Sequence, residues 1–156
     1  MTHEDYMAIA VREGVEGMRS GKGGPFGAVI VAGGEIIGKG CNMVTSLNDP
    51  TAHAEMVAIR NACQAVKSFH LTDAVLYTSC EPCPMCLSAM YWAKIKEFFY
   101  CTDRFDAARI NFADQFIYDE IVLPLNDRTS KARQIHLPAA MALFEEWAAS
   151  QTKISY

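Results

Sequence analysis

The chain has 156 residues, of which 51% are hydrophobic and 21% are charged, proportions typical of a single globular domain. Its net charge is −4 and its Lys and Arg residues are scattered, so it lacks the basic face of proteins that bind long nucleic acids. No apolar run approaches the roughly 20 residues of a membrane helix, and the acidic N-terminus is unlike a secretory signal. We therefore expect a cytoplasmic protein whose partner is a small molecule.

The first predicted element is an amphipathic helix over residues 2–20. Its apolar residues recur at spacings of four, four and three between Met7 and Met18, and Gly21 suits its C-terminal end. The segment GKGGPFGA that follows lacks the Gly-Lys-Ser/Thr ending of a phosphate-binding loop. We interpret it as a flexible loop that delivers Phe26 to the start of a strand.

A β-hairpin is predicted next, because Phe26–Ala32 and Glu35–Cys41 are both strand-like runs. Gly33 and Gly34 join them, and both central positions of a tight hairpin turn need a positive φ, which glycine adopts readily. The stretch NMVTSLNDPTAHAE that follows is polar and rich in turn-forming residues.

A helix is predicted from about residue 52 to about residue 66. Pro50 suits its first turn, and Asp49 or Thr51 is its candidate cap.

A second helix, from Pro82 to Trp92, lies between two short predicted strands, Ala74–Ser79 and Glu97–Cys101. A strand, a helix and a strand in this order form a βαβ unit, so the two strands should be parallel. Beyond residue 102 the pattern predicts a helix over Asp114–Ile121, an edge strand over Arg133–Leu137 and a last helix over Pro138–Ser150.

The segment SCEPCPMC holds half of the six cysteines. Cys83 and Cys86 form a Cys-x-x-Cys pair, which is typical of a metal chelate, a redox dithiol or a disulfide. A reducing compartment favours metal binding or catalysis over a disulfide. Cys80 is a rival ligand, but Pro82 disfavours a helical conformation just before it and leaves Cys80 at the strand end.

His53 is the best further ligand candidate, thirty residues before Cys83. Both residues are predicted to lie at helix N-termini, where the partial positive charge lowers the pKa of a thiol. One histidine and two cysteines make three ligands, whereas a structural zinc normally has four and a catalytic zinc keeps one position for water. Glu55 is then a candidate general base rather than a ligand.

The pattern His53-x-Glu55 followed by Pro82-Cys83-x-x-Cys86 resembles the zinc signature of the cytidine and nucleobase deaminase superfamily. GGPFGA, the hairpin, NDPTAHAEM, LYTSCEPCPMC and FADQFIYDEI are together similar to bacterial guanine deaminases over most of the chain. The resemblance implies one α/β domain over residues 1–156, with three α/β/α layers and a mixed sheet of roughly five strands. It also implies one zinc ion per chain and a homodimer whose subunits exchange their C-terminal segments.

The same resemblance implies hydrolytic deamination of guanine to xanthine and ammonia, as part of purine salvage. Glu55 would move protons from the attacking water to the base and to the leaving amine. The base pocket that it implies consists of Phe26, Asn42, Ala54, Trp92, Asp114 and Tyr156.

The resemblance places these residues in the pocket, and their chemistry suits that role. Asn42 offers both a donor and an acceptor to a base edge, and Asp114 accepts from the N–H groups of guanine. Phe26 and Trp92 would stack on the purine, and Tyr156, at the chain end, would close the site of a neighbouring subunit. A turn asparagine, core aromatics, a helix cap and a disordered chain end are the ordinary alternatives for these residues.

Two other functions are compatible with the sequence. The first keeps the zinc chemistry but changes the substrate to cytosine, an aminotriazine, a nucleoside or tRNA adenosine, although the basic C-terminal segment of tRNA adenosine deaminases is missing. The second is a binding module that zinc only stabilises. Three ligands beside a glutamate argue against it, because a structural zinc site is closed.

Overall fold

The computed structural model describes all 156 residues in two compact units, Met1–Phe116 and Ile117–Tyr156. None of the helices is long and apolar enough to cross a membrane. In chain order the elements are α1 (His3–Arg19), β1 (Gly27–Ala32), β2 (Glu35–Cys41), α2 (Val44–Leu47), α3 (Ala54–Val66), β3 (Ala74–Cys80), α4 (Pro84–Trp92), β4 (Glu97–Thr102), α5 (Arg104–Arg109), α6 (Gln115–Ile121) and α7 (Pro138–Ala149).

The sheet of the first unit has four strands in the order β2-β1-β3-β4. β1 pairs antiparallel with both β2 and β3, and β3 pairs parallel with β4, so the predicted hairpin and the predicted βαβ unit are both confirmed. The expectation of about five strands is wrong, because Arg133–Leu137 forms no strand. An alternating pattern becomes a strand only where a partner strand supplies the hydrogen-bond ladder, and this segment has none.

Helices cover both faces of the sheet, which gives the expected α/β/α layers. On one face, Tyr6 and Ala10 of α1 pack with Val29, Val31 and Tyr77. On the other face, β1 residues of opposite parity pack against α3 and α4 in a core that includes Ile30, Ala58, Leu76 and Met90. Alternate residues of one buried strand thus serve two cores, because successive side chains of a strand point to opposite faces.

Both helices that carry predicted ligands begin later than the sequence indicated. α3 begins at Ala54, and Pro50 lies in the turn before it, where the Thr51 N–H donates to Asp49 Oδ1 at 2.8 Å. α4 begins at Pro84, which takes the first helical position in place of Pro82. The helix cap positions therefore fall on the predicted metal ligands themselves.

Two short helices, α2 and α5, were not predicted. α5 starts at a capping box in which Asp103 Oδ1 accepts from the Asp106 N–H at 2.8 Å and the Asp106 carboxylate accepts from the Asp103 N–H at 3.3 Å. This box fixes the chain as it leaves β4, and the segment after α5 carries Phe112 and Asp114.

The second unit contains the predicted last helix, α7, but it has no buried residue. Leu143, Phe144 and Trp147 of α7 are 63%, 68% and 51% exposed. Arg128 holds the end of α6 by donating to the Leu123 and Ile121 carbonyls at 2.9 and 3.0 Å. The unit is thus locally ordered while its apolar side chains lie open.

Candidate active site

The N-terminal ends of α3 and α4 bring three predicted ligands together. His53 is the N-cap of α3, Cys83 is the N-cap of α4, and Cys86 lies in the first turn of α4. The ligand atoms of the three residues all lie within 4.8 Å of one another. Cys80 is not among them, since its thiol donates to the Asp103 carbonyl at 3.6 Å.

The distances between these donor atoms fit a tetrahedral zinc ion. His53 Nδ1 lies 3.5 Å from Cys83 Sγ and 3.6 Å from Cys86 Sγ. Zinc bonds of about 2.05 Å to nitrogen and 2.3 Å to sulfur place such atoms about 3.6 Å apart at the tetrahedral angle. Nδ1 is therefore the ring nitrogen that faces the metal position, and three protein ligands leave a fourth position open.

The two thiols and the imidazole are electrostatically coupled. A hydrogen bond from Cys86 lowers the pKa of the Cys83 thiol to about 4. The pKa of Cys86 is raised because its proton is shared with Cys83, and burial adds to this shift. The hydrogen bond with Cys83 also raises the pKa of His53. The lowered pKa favours the thiolate form of Cys83, which is the form of cysteine that binds zinc.

Glu55 lies beside the cluster in the first turn of α3 and is 6% exposed. Burial raises the pKa of its carboxyl group to about 7, while its backbone hydrogen bond and the His53 charge oppose this shift. A carboxyl group whose pKa lies near neutrality can both accept and donate a proton. Its position and its acidity therefore suit general acid–base catalysis.

Asn42 directly follows the last residue of β2 and is almost buried, at 6% exposed. Its Oδ1 accepts from the Gly24 N–H at 3.1 Å and from the Val44 N–H at 3.2 Å. The sequence indicated that Asn42 offers both a donor and an acceptor to a ligand. In the structure the oxygen is occupied by the protein, so Nδ2 is the group left to bind, as a donor.

Phe26 and Phe112 form an aromatic pair that the sequence interpretation missed. Their ring centroids are 5.0 Å apart at an interplanar angle of 87°. Phe112 belongs to the FADQF segment and precedes Asp114 by two residues, which was the available signal.

Asp114 is half-buried, immediately before α6. Burial raises the pKa of its carboxyl group and the charge of Cys83 adds to this, whereas the positive charge of Arg104 lowers it. Asp114 therefore lies within the electrostatic field of the metal cluster.

The other predicted pocket residues lie at different places. Ala54 is fully buried and is the first residue of α3, between His53 and Glu55. Trp92 is 63% exposed at the far end of α4, about 12 Å along the helix from its start. Tyr156 ends the second unit and is 72% exposed. A contribution of Trp92 or Tyr156 to the pocket stays a prediction.

The fold and the cluster agree with a known family. Residues 1–102 match the profile of the cytidine and deoxycytidylate deaminase zinc-binding region. The chain therefore belongs to the cytidine and deoxycytidylate deaminase family, whose members carry this zinc-binding region.

Individual relatives of the chain have names that specify a substrate. The chain is 49% identical to the guanine deaminase of Bacillus subtilis over 156 residues, which is 100% of both chains. The X-ray structure of guanine deaminase from Bacillus subtilis superposes with a TM-score of 0.96 and covers 100% of this chain and 99% of that one. A guanine deaminase from Nitrosomonas europaea is 26% identical with a TM-score of 0.69, over 72% of this chain and 65% of that one.

Relatives that act on tRNA match a smaller part of the chain. The tRNA-specific adenosine deaminase of Aquifex aeolicus is 42% identical over 97 residues, which is 62% of this chain and 64% of that protein.

Proposed function

We propose that this protein is a zinc-dependent aminohydrolase that converts guanine and water to xanthine and ammonia. One observation carries the choice of guanine: the 49% identity to the guanine deaminase of Bacillus subtilis runs through both structural units, to the end of the chain. The FADQF segment, which would bind the base, lies outside the residues of the family match. The acidic balance of the chain also supports a small-molecule substrate rather than a nucleic acid.

The catalytic step would use one zinc ion per chain, held by His53, Cys83 and Cys86 at the spacing described above. When bound, zinc lowers the pKa of a water and so supplies the nucleophile. Glu55 takes a proton from the attacking water and passes it to a ring nitrogen of guanine. A C–O bond forms at C2, the bond from C2 to the exocyclic amine breaks, and Glu55 assists the departure of ammonia.

The base would be held by polar groups at its edge and by aromatic rings at its faces. Nδ2 of Asn42 donates to an acceptor of the purine edge, and the carboxylate of Asp114 accepts from its N–H groups. The Ala54 backbone, between His53 and Glu55 in the chain, would form part of the pocket wall. Phe26 and Trp92 supply aromatic faces for stacking.

The active form would be a homodimer in which a second copy of the chain covers residues 117–156. This segment forms a helix with several aromatic and aliphatic side chains, yet buries none of its residues. Exposed apolar patches of this kind mark interaction surfaces. In such a dimer Tyr156 of one subunit would close the active site of the other.

The reaction places the enzyme in purine salvage or catabolism. All six cysteines are free, which supports a reducing compartment such as the cytoplasm.

Ammonia release over a panel of bases tests the proposal. Purified zinc-loaded protein is offered guanine, adenine, cytosine, an aminotriazine, guanosine and an adenosine-containing tRNA anticodon stem. Guanine-specific release of ammonia supports the proposal. Preferential release from another compound would show that the compound, and not guanine, is the substrate of the same deamination. Zinc binding with no ammonia from any substrate would leave only a zinc-stabilised binding module.

A further inference from the structure

The turn before α3 is fixed by hydrogen bonds, and we call residues 49–53 the histidine turn because the segment ends at the candidate ligand His53. The His53 N–H donates to the Thr51 carbonyl at 2.8 Å. The Met43 N–H, two residues beyond the end of β2, donates to the Ala52 carbonyl at 2.9 Å. The backbone of the turn is therefore bonded both within itself and to the segment that follows β2.

Two side chains of the histidine turn also bind each other. Asp49 Oδ1 accepts from the Thr51 N–H at 2.8 Å and from the Thr51 hydroxyl at 2.7 Å. The hydroxyl bond, chiefly, and the N–H bond lower the pKa of the Asp49 carboxyl group, because both stabilise its ionised form. Hydrogen bonds to an ionised carboxylate are about twice as strong as those between neutral groups. The Thr51 hydroxyl therefore makes a charge-assisted bond that closes the turn.

Arg60 of α3 reaches back to the same hydroxyl. Its Nη2 donates to Thr51 Oγ1 at 3.2 Å, and its Nη1 lies 3.8 Å from Asp49 Oδ2. The side chains of Arg60 and Asp49 are 49% and 34% exposed, so solvent leaves their ion pair little energy. The Thr51 hydroxyl is the group that joins the other two side chains, since it donates to Asp49 and accepts from Arg60.

His53 takes its position from this turn. It is the N-cap of α3, and its carbonyl accepts from the Val57 N–H at 3.0 Å, so its backbone is held on both sides. Its side chain makes no capping hydrogen bond, and Nδ1 faces the thiols of Cys83 and Cys86 at 3.5 and 3.6 Å. A zinc ligand has to lie within about 0.2 Å of its bonding distance. A small shift of the turn would therefore weaken the metal site.

We propose that Thr51 is a positioning residue for the zinc ligand His53. Its hydroxyl, bonded to Asp49 and Arg60, holds the histidine turn in the conformation that presents Nδ1 to the metal. This inference rests on the zinc site of the proposed function and deepens it. It adds to that site a side chain that acts through the backbone rather than by binding the metal.

The test compares Thr51→Val with Thr51→Ser. Valine keeps the branched shape of threonine but removes the hydroxyl, whereas serine keeps the hydroxyl. We expect Thr51→Val to weaken zinc binding about 10-fold, the lower end of the range for residues that support metal ligands. Thr51→Ser should bind zinc like the wild type. Competition with a chelator of known affinity measures zinc binding in each variant.

Thr2→Val is the matched control. Thr2 is the N-cap of α1, where its hydroxyl accepts from the Asp5 N–H at 3.2 Å, and α1 packs on the face of the sheet opposite to α3. The substitution should lower the thermal midpoint because a helix cap is lost, while zinc affinity stays that of the wild type. Equal losses of zinc affinity in Thr51→Val and Thr2→Val would mean that instability alone weakens zinc binding, and would overturn the inference.

A double-mutant cycle tests the route from Thr51 to the metal site. If Thr51 acts through Asp49, Thr51→Val weakens zinc binding little further once Asp49→Ala is present. Effects of the two substitutions that multiply would show that the hydroxyl does not act by closing the turn, and that result also overturns the inference.

Zinc binding by the wild type separates this outcome from failure of the proposed function. If the wild type binds zinc and Thr51→Val binds it equally well, or Thr51→Ser loses as much affinity as Thr51→Val, only the role of Thr51 is wrong. If the wild type binds no zinc, the proposed function is wrong as well.

Discussion

Glu55 combines burial with proximity to the ligand cluster, and each property has a separate consequence. Burial brings the pKa of its carboxyl group to about 7, and its place in the first turn of α3 puts it beside His53 without making it a ligand. We expect Glu55→Gln to keep the zinc content of the wild type and to lower kcat by roughly 10²- to 10⁴-fold, because the amide cannot carry the proton. Metal analysis and steady-state kinetics on the same sample check this, and near-normal turnover would contradict it.

Asn42 provides a second single-atom test. Asn42→Asp keeps Oδ1, which accepts from Gly24 and Val44, but replaces the free NH₂ group with a carboxylate oxygen. We expect KM for guanine to rise about 10- to 100-fold. The donor to the base is lost, and a carboxylate oxygen would face an acceptor of the base instead. Zinc content should not change, whereas the thermal midpoint should fall because the new carboxylate is almost buried.

A matched control for this substitution is Asn61→Asp. Asn61 is also an asparagine donor, to the Lys39 carbonyl at 2.8 Å, but it lies on the exposed surface of α3. Kinetics like those of the wild type are expected for it. If Asn42→Asp shows the same wild-type kinetics, Asn42 is only a turn residue.

At the residue scale, the cluster of candidate ligands was predictable because each residue is placed by its neighbours along the chain. His53 and Cys83 directly precede helices, and helix starts leave local signals in the sequence. The pairing of Phe112 with Phe26 was not visible, because the two residues lie far apart in the chain.

At the element scale, the close packing of α3 against β2 depends on two glycines. A Cβ at Gly40 would collide with the Ala54 carbonyl, and one at Gly38 would collide with the Ala58 carbonyl. Both variants, Gly40→Ala and Gly38→Ala, should lose about 1–3 kcal/mol of unfolding free energy through overpacking. Gly40→Ala should also weaken zinc binding, because it displaces the end of α3 next to His53.

Gly38 is the matched control for this prediction, since it lies under the same helix at a greater distance from the ligand. Chemical denaturation gives the stability loss, and competition with a chelator gives zinc affinity. Equal zinc affinity in the two variants would show that the packing of the start of α3 on β2 does not affect zinc binding.

The errors at the element scale have physical causes. Pro50 suggested the start of a helix because proline fits a first turn, but Asp49 accepts from Thr51 there and closes a local turn instead. The capping box of α5 was missed because the surrounding sequence shows no long apolar period. The strand predicted at Arg133–Leu137 failed because alternation alone supplies no pairing partner.

The whole molecule combines a well-buried first unit with a second unit that buries no residue. The expected oligomeric state follows from the exposed apolar side chains of α7, which a second copy of the chain would cover. We expect sedimentation to give a mass near twice the 17.2 kDa of one chain. A monomer at micromolar concentration that retains full activity would contradict the proposed exchange.

Tyr156 makes that exchange testable through activity. Deleting residues 154–156 should raise KM or lower kcat, because the terminal aromatic would no longer close a site. If the deletion leaves the kinetics unchanged, Tyr156 has no part in the reaction. The deletion alone does not say which subunit the residue serves.

Mixed dimers answer that question. In a dimer of one Glu55→Gln chain and one chain lacking residues 154–156, exchange creates one complete site, with Glu55 from the shortened chain and Tyr156 from its partner. We expect activity to rise when the two inactive or weakened proteins are unfolded, mixed and refolded together, toward about a quarter of the wild-type value for random pairing of equal amounts. If each tail serves its own subunit, no complete site forms in the mixed dimer, and refolding the mixture yields no more activity than the sum of the separate samples.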